Sequence, residues 1–507
     1  MAWHATGYRC PRCVLLRCIQ FTKLPKMEHF RYRPEMLEGM PDNILQRMKQ
    51  FEGWFTIESD QLKKITNHLV RELEKGLTVE GGSIPMIISW IMGYPTGHER
   101  GRILTIDMGG TNLRVCDVCL AEGKGDFEQT QRKFKLPAAI KSGTAEQLWD
   151  FVADRLDIFI KEHYSKDHIK DPLPLAFTFS FPVDQKSIRS GILKGWTKDF
   201  NVSGVDGHDI VPQLDAALQR KQVPARVEAL INDTTGTLIA SHYKDTHVKV
   251  GSIFSTGCNA AYMEECSAIP KLRGLDLPPD ATVIINTEYG AFDNERQVLP
   301  RTPFDEQIDA ESMRPGKQIY EKMVAGLYIG EMLRQVMVTL HEQEKFFEGQ
   351  DTTRLRTENT LEASFLSIAE LDISEYLDDM RAEFKEDLSL DPSLEELKAC
   401  RYLIGLIVTR AARLYACGVA AICKKKNLRR CHVGVDGSVF NKYSGFKGRA
   451  AQALREILDW PPHELDLVSL NAAEDGSGVG AALAAALAVN GENIPDGCGE
   501  EEATEAC

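Results

Sequence analysis

The chain has 507 residues, more than one hydrophobic core usually serves, so two lobes are expected. Its 60 Lys and Arg stand against 74 Asp and Glu, a net charge of −14 that argues against nucleic acid or an anionic membrane as the primary partner. A phosphate-bearing ligand is not excluded, because such a site needs only local positive charge.

The first 26 residues contain Arg9, Arg12, Arg17, Lys23 and Lys26, and no acid precedes Glu28. Organelle-targeting segments look like this, yet Pro11 and Pro25 interrupt a long amphipathic helix and Met27 is an alternative start. The stretch reads either as a targeting segment, with association at the mitochondrial surface, or as an extension that is not translated. Cys10, Cys13 and Cys18 with His4 have the ligands of a zinc site, with no second CxxC nearby; the alternative is a flexible tail that carries cysteines. The 13 cysteines follow no repeated framework, which suggests reduced thiols and a cytoplasmic protein.

Leu62, Ile65, Leu69, Val70, Leu73 and Leu77 fall at helical spacing and predict an amphipathic helix over 59–77. A β-rich stretch begins at 103–107, turns at Gly109, Gly110, Thr111 and Asn112, and resumes over 113–120, which reads as a hairpin. Strand, Gly/Thr turn and strand recur at 248–254, 255–259 and 260–263. One such unit in each half suggests two related lobes with phosphate held between the turns. From Lys317 the pattern is helical, over 317–345, 361–387 and 393–425, and a short strand returns at 432–436. The longest apolar run, 479–489, is shorter than the roughly 20 residues of a membrane-spanning helix and is Ala-rich, so it reads as a buried helix. The last residues, from Gly491, hold six acids and no base, as a disordered tail does.

Glycine turns let backbone N–H groups approach an anion, and an adjacent Thr or Ser adds a hydroxyl donor. Gly109, Gly110 and Thr111, then Thr256 and Gly257, then Gly437 and Ser438 have this form. Neither a P-loop nor a strand–GxGxxG–helix unit is present. Asn232 and Asp233 follow the apolar run 227–231, where a carboxylate at a strand end suits general-base work; the alternative is a helix N-cap. Glu288, after the strand 282–285, and Glu321, early in a helix, are acceptors of the kind a sugar's hydroxyls need.

Taken in order, these segments closely resemble the hexokinase and glucokinase family, especially single-unit fungal hexokinases, over about residues 40–488. Residues 175–182 with 196–200 look like the sugar-binding signature, 106–115 the first phosphate motif, 255–259 the second, and 432–439 the adenosine motif. The resemblance implies an actin-like ATPase fold of the ribonuclease H type, two α/β lobes around a cleft. It implies a basic extension over 1–39, a helical segment over 40–96 packing on the large lobe, a small lobe over 97–231, a large lobe over 232–488 and an acidic tail over 489–507. It implies transfer of phosphate from ATP, with Mg2+, to the 6-hydroxyl of glucose and related hexoses at the start of glycolysis. Asp233 would be the general base and Lys198 the cation at the transferring phosphoryl. Ser180, Thr197, Lys198, Asn232, Asn259, Glu288 and Glu321 would hold the sugar. Asp107 would organise Mg2+ through water, and Gly109, Gly110, Thr111, Asn112, Arg114, Thr256, Gly257, Gly437 and Ser438 would meet the nucleotide. Asp199 and Ser255 stand where glycine is usual, and Ala176 and Arg189 also depart from the sugar signature. The alternative is a catalytically weak or inactive regulatory relative that senses sugar.

Asp199 brings a negative charge beside Lys198. Asp199→Gly is therefore expected to lower the Michaelis constant for ATP, measured at saturating sugar; an unchanged or higher value would count against the electrostatic reading.

Overall fold

The computed structural model describes residues 37–78, 82–121, 126–164, 169, 171–196, 200–461, 464, 466–473 and 475–489. The basic stretch 1–26 with its cysteines, the triplet Thr197, Lys198 and Asp199, and the acidic tail from 490 lie outside the described residues. In chain order the strands are β1 (Ile87–Ile88), β2 (Gly101–Met108), β3 (Asn112–Leu120), β4 (Phe127–Lys135), β5 (Leu173–Phe179), β6 (Val183–Asp184), β7 (Ile192–Leu193) and β8 (Ala225–Ile231). Then follow β9 (Val248–Phe254), β10 (Cys258–Glu265), β11 (Thr282–Asn286), β12 (Cys431–Asp436) and β13 (Val468–Ala472).

One sheet runs β4-β3-β2-β5-β8 and the other β1-β11-β10-β9-β12-β13, while β6 and β7 form a small ribbon. Apart from β1 the two large sheets repeat one design. In the first, β2–β3 and β3–β4 pair antiparallel and β2–β5 and β5–β8 parallel. In the second, β9–β10 and β10–β11 pair antiparallel and β9–β12 and β12–β13 parallel. The two strand–turn–strand units of the sequence are the opening hairpins of the two copies. This is the doubled α/β architecture that the actin-like expectation requires.

Burial explains which strands were legible. Central β5 is apolar but for one threonine and buried at every position, as a strand covered on both faces must be. Edge strand β4 carries Glu128, Gln129, Gln131, Arg132 and Lys133, and most of it faces solvent. Its polarity hides it from an apolar-run reading.

Helices Ala145–His163 and Ile210–Arg220 close one face of the first sheet, with Leu148, Trp149 and Leu214 in one core with Phe177 and Phe179. Helices Asp42–Phe55 and Ser59–Thr78 belong to the core of the second sheet, and Phe55 stacks on Phe304 with ring centroids 6.2 Å apart. The Leu394–Lys425 helix is long and apolar enough to cross a membrane, but it runs through this same core and is buried along its length. The helical stretch expected over 317–345 is broken into Ile319–Val324 and Gly326–Glu344. At the break Gly326 N donates to the Ser255 carbonyl at 2.8 Å, which a side chain at 326 would obstruct. The stretch over 361–387 is broken after Leu371, where the Asp372 carboxylate accepts from Ser374 N and Met380 N.

The two copies exchange their last helices. Helix Asp233–Lys244 follows β8 but packs on β9, β10 and β12; helix Gly476–Ala488 follows β13 but packs on β2, β5 and β8. The end of the 232–488 segment therefore lies on the small lobe's sheet, a departure from the expected boundary. Burial is the reason: this Ala-rich helix has no polar face to leave in water, and the first sheet offers it a surface that includes Ile103, Ala176 and Ala229. The exchanged helices also touch each other through glycine. A methyl at Gly480 would lie 2.1 Å from the Gly236 carbonyl oxygen, and one at Gly236 would lie 2.4 Å from that of Gly476.

In an open helix Gly→Ala stabilises by about 1 kcal/mol. Overpacking a close-packed contact costs about 1–3 kcal/mol. Gly480→Ala is expected to lower the thermal midpoint by several degrees, and a higher midpoint in a melting experiment would refute the close approach.

Candidate active site

The strand ends of both copies converge on one acidic region. Asp107 lies at the end of β2, Asp233 directly after β8, Asp436 at the end of β12 and Asp475 after β13. They are close enough to act on one another: Asp233 and Asp475 both oppose ionisation of Asp107 and of Asp436. Arg114 is the cation among them. It sits opposite Asp107 across the β2–β3 hairpin, 3.5 Å from its Oδ2, and pairs with Asp475 at 2.6 Å. Ser477 Oγ donates to Asp107 Oδ2 at 2.7 Å.

Burial is the largest influence on Asp107 and lifts its carboxyl above the usual range, with Arg114 and Ser477 opposing. Asp436 is raised by burial too, with the Gly437 N–H opposing. Asp475 goes the other way. Burial pushes it up, but Arg114, Gln129 and the Gly478 N–H hold it below the usual range. Among the described residues the acids of this region outnumber the cation paired with them, which fits a divalent cation held largely through water. Among the described residues no cluster of three or more His, Cys, Asp or Glu forms a direct metal cage.

Asp233 begins the Asp233–Lys244 helix, and Asn232 is its N-cap, accepting from Thr234 N at 2.9 Å. The two readings of this pair separate by residue. The cap is Asn232, and the adjacent Asp233 faces Ser180, whose Oγ donates to its Oδ2 at 3.0 Å. Asp233 Oδ1 accepts from Thr234 N at 2.8 Å. Ser180 is aimed by its neighbours. Phe179 and Phe181 are buried in an aromatic cluster with Trp196 and Phe200, in which Trp196 and Phe200 stack at 5.1 Å. Thr197 and Lys198 fall outside the described residues, between these two anchors. The Arg314 guanidinium, from the other copy, donates to the Trp196 carbonyl just before them.

A second constellation of polar side chains lies at the β10–β11 end. Asn259 is its hub. Its Nδ2 donates to Asn286 Oδ1 at 2.8 Å and Glu288 Oε1 at 3.0 Å, while its Oδ1 accepts from Ala260 N and Glu288 N. Glu288 has φ 54°, a left-handed conformation that costs a side-chain-bearing residue energy, and this network holds it there. Glu321 Oε2 accepts from Cys258 N at 3.0 Å, and a methyl at Gly257 would lie 2.7 Å from that oxygen. The structure brings Asn259 and Glu288 into one network and sets Glu321 on the backbone of Cys258, the residue before Asn259, although the three are far apart in sequence.

It also adds Gln318, which sequence reading missed. This residue is left-handed, φ 55°, and its buried Oε1 has no hydrogen-bond partner among the described residues. Nothing in the residue type signals this; only the backbone geometry and the unmet acceptor do.

The glycine turns sit where strands end. Gly109 N donates to the Asn112 carbonyl at 3.2 Å, closing the first turn and leaving Thr111 and Asn112 exposed. In the second, Thr256 is exposed between Ser255 and Gly257. Gly437 has φ 137°, and a side chain there would strike the Phe254 carbonyl at 2.1 Å, so β12 can run close beside β9 only with glycine at its end. Ser438 meets Ser255 hydroxyl to hydroxyl at 3.0 Å, so the serine that replaces a usual glycine is engaged within the fold. Two surface cavities, of about 610 and 390 Å3, lie apart from all these residues, lined by segments such as 344–350 and 430–432.

Two models of the family described as hexokinase match residues 47–243 and 249–487. Curated relatives include a hexokinase of Emericella nidulans, 52% identical over 457 residues that make up 90% of this chain and 93% of that protein. Hexokinase-2 of Saccharomyces cerevisiae is 45% identical over 462 residues, 90% of this chain and 95% of the relative. Among solved structures, a hexokinase from Schistosoma mansoni complexed with glucose aligns with a TM-score of 0.80 and 34% identity, over 88% of this chain and 99% of that one.

Because Asp107 is raised, its ionisation opposes folding. That penalty is absent below the unfolded carboxylate value near 3.9 and grows as pH rises through the folded value. Arg114 keeps Asp475 as a partner when Asp107 is neutralised. Asp107→Asn should therefore raise the thermal midpoint at pH 7 relative to the parent chain, with the gain fading toward pH 4. A variant less stable at pH 7 than at pH 4, each against the parent, would contradict this.

Proposed function

The chain belongs to the hexokinase family of enzymes, and from that premise we propose that it transfers the terminal phosphoryl group of ATP to the 6-hydroxyl of glucose, and of fructose and mannose, at the start of glycolysis. The observation that carries the reading is the position of Asp233: a carboxylate at a helix start, with one oxygen engaged by backbone and the other facing Ser180, close enough to Asp107 and Asp436 to oppose their ionisation.

Asp233 takes the proton of the 6-hydroxyl as that oxygen attacks phosphorus. A positioned base contributes about 10²–10⁴-fold in rate. Phosphoryl transfer otherwise depends on positioning and on stabilising charge, so the remaining residues need no covalent role. Ser180, Thr197, Asn232, Asn259, Glu288 and Glu321 receive the sugar hydroxyls. Amides and carboxylates already locked in a network lose little freedom on binding, which favours affinity. The lysine at position 198 supports the transferring group. Residues Gly109, Gly110, Thr111, Asn112 and Arg114 of the first turn, with Thr256, Gly257, Gly437 and Ser438, receive the nucleotide. Arg114 is preoriented by Asp475 and Ser477 for that task. Mg2+, with Asp107 ordering its water ligands, would supply the positive charge that neutralises the phosphates.

Sugar contacts come from both copies of the repeated unit, Ser180 from the first and Asn259, Glu288 and Glu321 from the second. Sugar binding thus draws the two together before the phosphate can react, and water, which makes few of these contacts, does not.

A coupled assay for glucose 6-phosphate tests the reading. The parent chain should form product only with both ATP and sugar, and Asp233→Asn should lower kcat by about 10²–10⁴-fold with KM for glucose changed little. Product from the variant at the parent rate, or none from folded parent protein, would defeat the proposal.

A further inference from the structure

Cys423 and Cys431 are a pair of thiols that the proposed reaction does not use. Cys423 lies in the last turn of the Leu394–Lys425 helix and Cys431 opens β12. Their sulfur atoms are 4.0 Å apart, and among the cysteines with free thiols this is the pair in contact. Both backbones are anchored, Cys423 O accepting from Leu428 N at 2.8 Å and Cys431 N donating to the Leu467 carbonyl at 3.1 Å. A disulfide needs the sulfurs about 2 Å closer.

Access is asymmetric. Both side chains are buried, but Cys431 lines the surface cavity of about 390 Å3, together with His247, Arg430, Glu464 and Asp466. The two sulfurs share one S–H···S contact in which either can donate, and Lys249 near Cys431 favours its thiolate. Cys431, which lines the cavity, is the residue a small oxidant reaches first, and Cys423 lies behind it, placed to resolve.

We propose that Cys431 and Cys423 form a peroxide-reactive dithiol that closes reversibly into an intramolecular disulfide. The Cys431 sulfur attacks one oxygen of hydrogen peroxide. An S–O bond forms, the O–O bond breaks, and the other oxygen leaves as water with the Cys431 proton. The Cys423 sulfur then attacks the sulfenic sulfur, the S–S bond forms, and the hydroxyl leaves as a second water with the Cys423 proton. Two thiols lose two electrons and two protons, and peroxide is reduced to two waters. The product ties the end of the long core helix to the start of β12, the strand that runs into Asp436, Gly437 and Ser438.

The test uses the reduced full-length chain, treated with hydrogen peroxide under native conditions, then alkylated, digested and analysed by mass spectrometry. The expected result is a Cys423–Cys431 linked peptide, lighter by two hydrogens. It forms before the deeply buried Cys400 and Cys417 react, and dithiothreitol reverses it. In Cys423→Ser, Cys431 should accumulate as a sulfenic acid captured by dimedone; in Cys431→Ser, Cys423 should stay unmodified. Circular dichroism confirms that each variant is folded. The proposal is overturned if native protein yields no such link while other thiols oxidise, or if the link appears only after denaturant is added. Oxidation of Cys423 at the parent rate in Cys431→Ser would overturn it equally.

Discussion

The contact on which the rest depends is the crossing of the two exchanged helices at Gly236, Gly476 and Gly480. No side chain separates the backbones there, and their approach leaves no room for even a methyl. Each helix belongs by sequence to one copy of the repeated unit and by packing to the other, so the crossing holds the two sheets in one relation. It also brings two helix starts together. Asp233 opens one, and Asp475 caps the other by accepting from Gly478 N at 3.1 Å.

That convergence has an electrostatic consequence. Helix starts favour negative charge, since their N–H groups are unpaired. They offset part of the repulsion among Asp107, Asp233, Asp436 and Asp475, but Asp107 and Asp436 remain raised. A fold optimised for stability would not bury these acids so near one another with, among the described residues, Arg114 as their counter-charge. Such local conflict is typical of a site that a ligand completes. Strain at Glu288 and Gln318 belongs to the same pattern, with left-handed backbone held by a saturated hydrogen-bond network on one side and an unmet acceptor on the other.

Much of this was legible beforehand. The turns at 109–112 and 255–257, the strands around them and the long helix at 394–425 announce themselves through glycine and apolar periodicity, which are local properties. The motif order was enough to indicate the family, and with it to single out Asp233, Asn259, Glu288 and Glu321 as candidates. Less legible were β4, which is polar because it is an edge, and the breaks at Ala325 and Asp372, which answer to the distant Ser255 carbonyl and to the nearby N–H groups of Ser374 and Met380. Gln318 was invisible, because its significance lies in where its backbone turns rather than in what its side chain is.

The sequence by itself determined most of the elements and the chemical types at the candidate site, because secondary structure and chemical type depend on neighbours a few positions apart. Only the tertiary structure decided that the last helix crosses to the first sheet, that Asp233 faces Ser180, and that Asn259 binds Glu288 while Ser255 binds Ser438. Those outcomes rest on contacts between residues tens to hundreds of positions apart. Their energy comes from burying surface and satisfying polar atoms in three dimensions, and no local pattern along the chain encodes it.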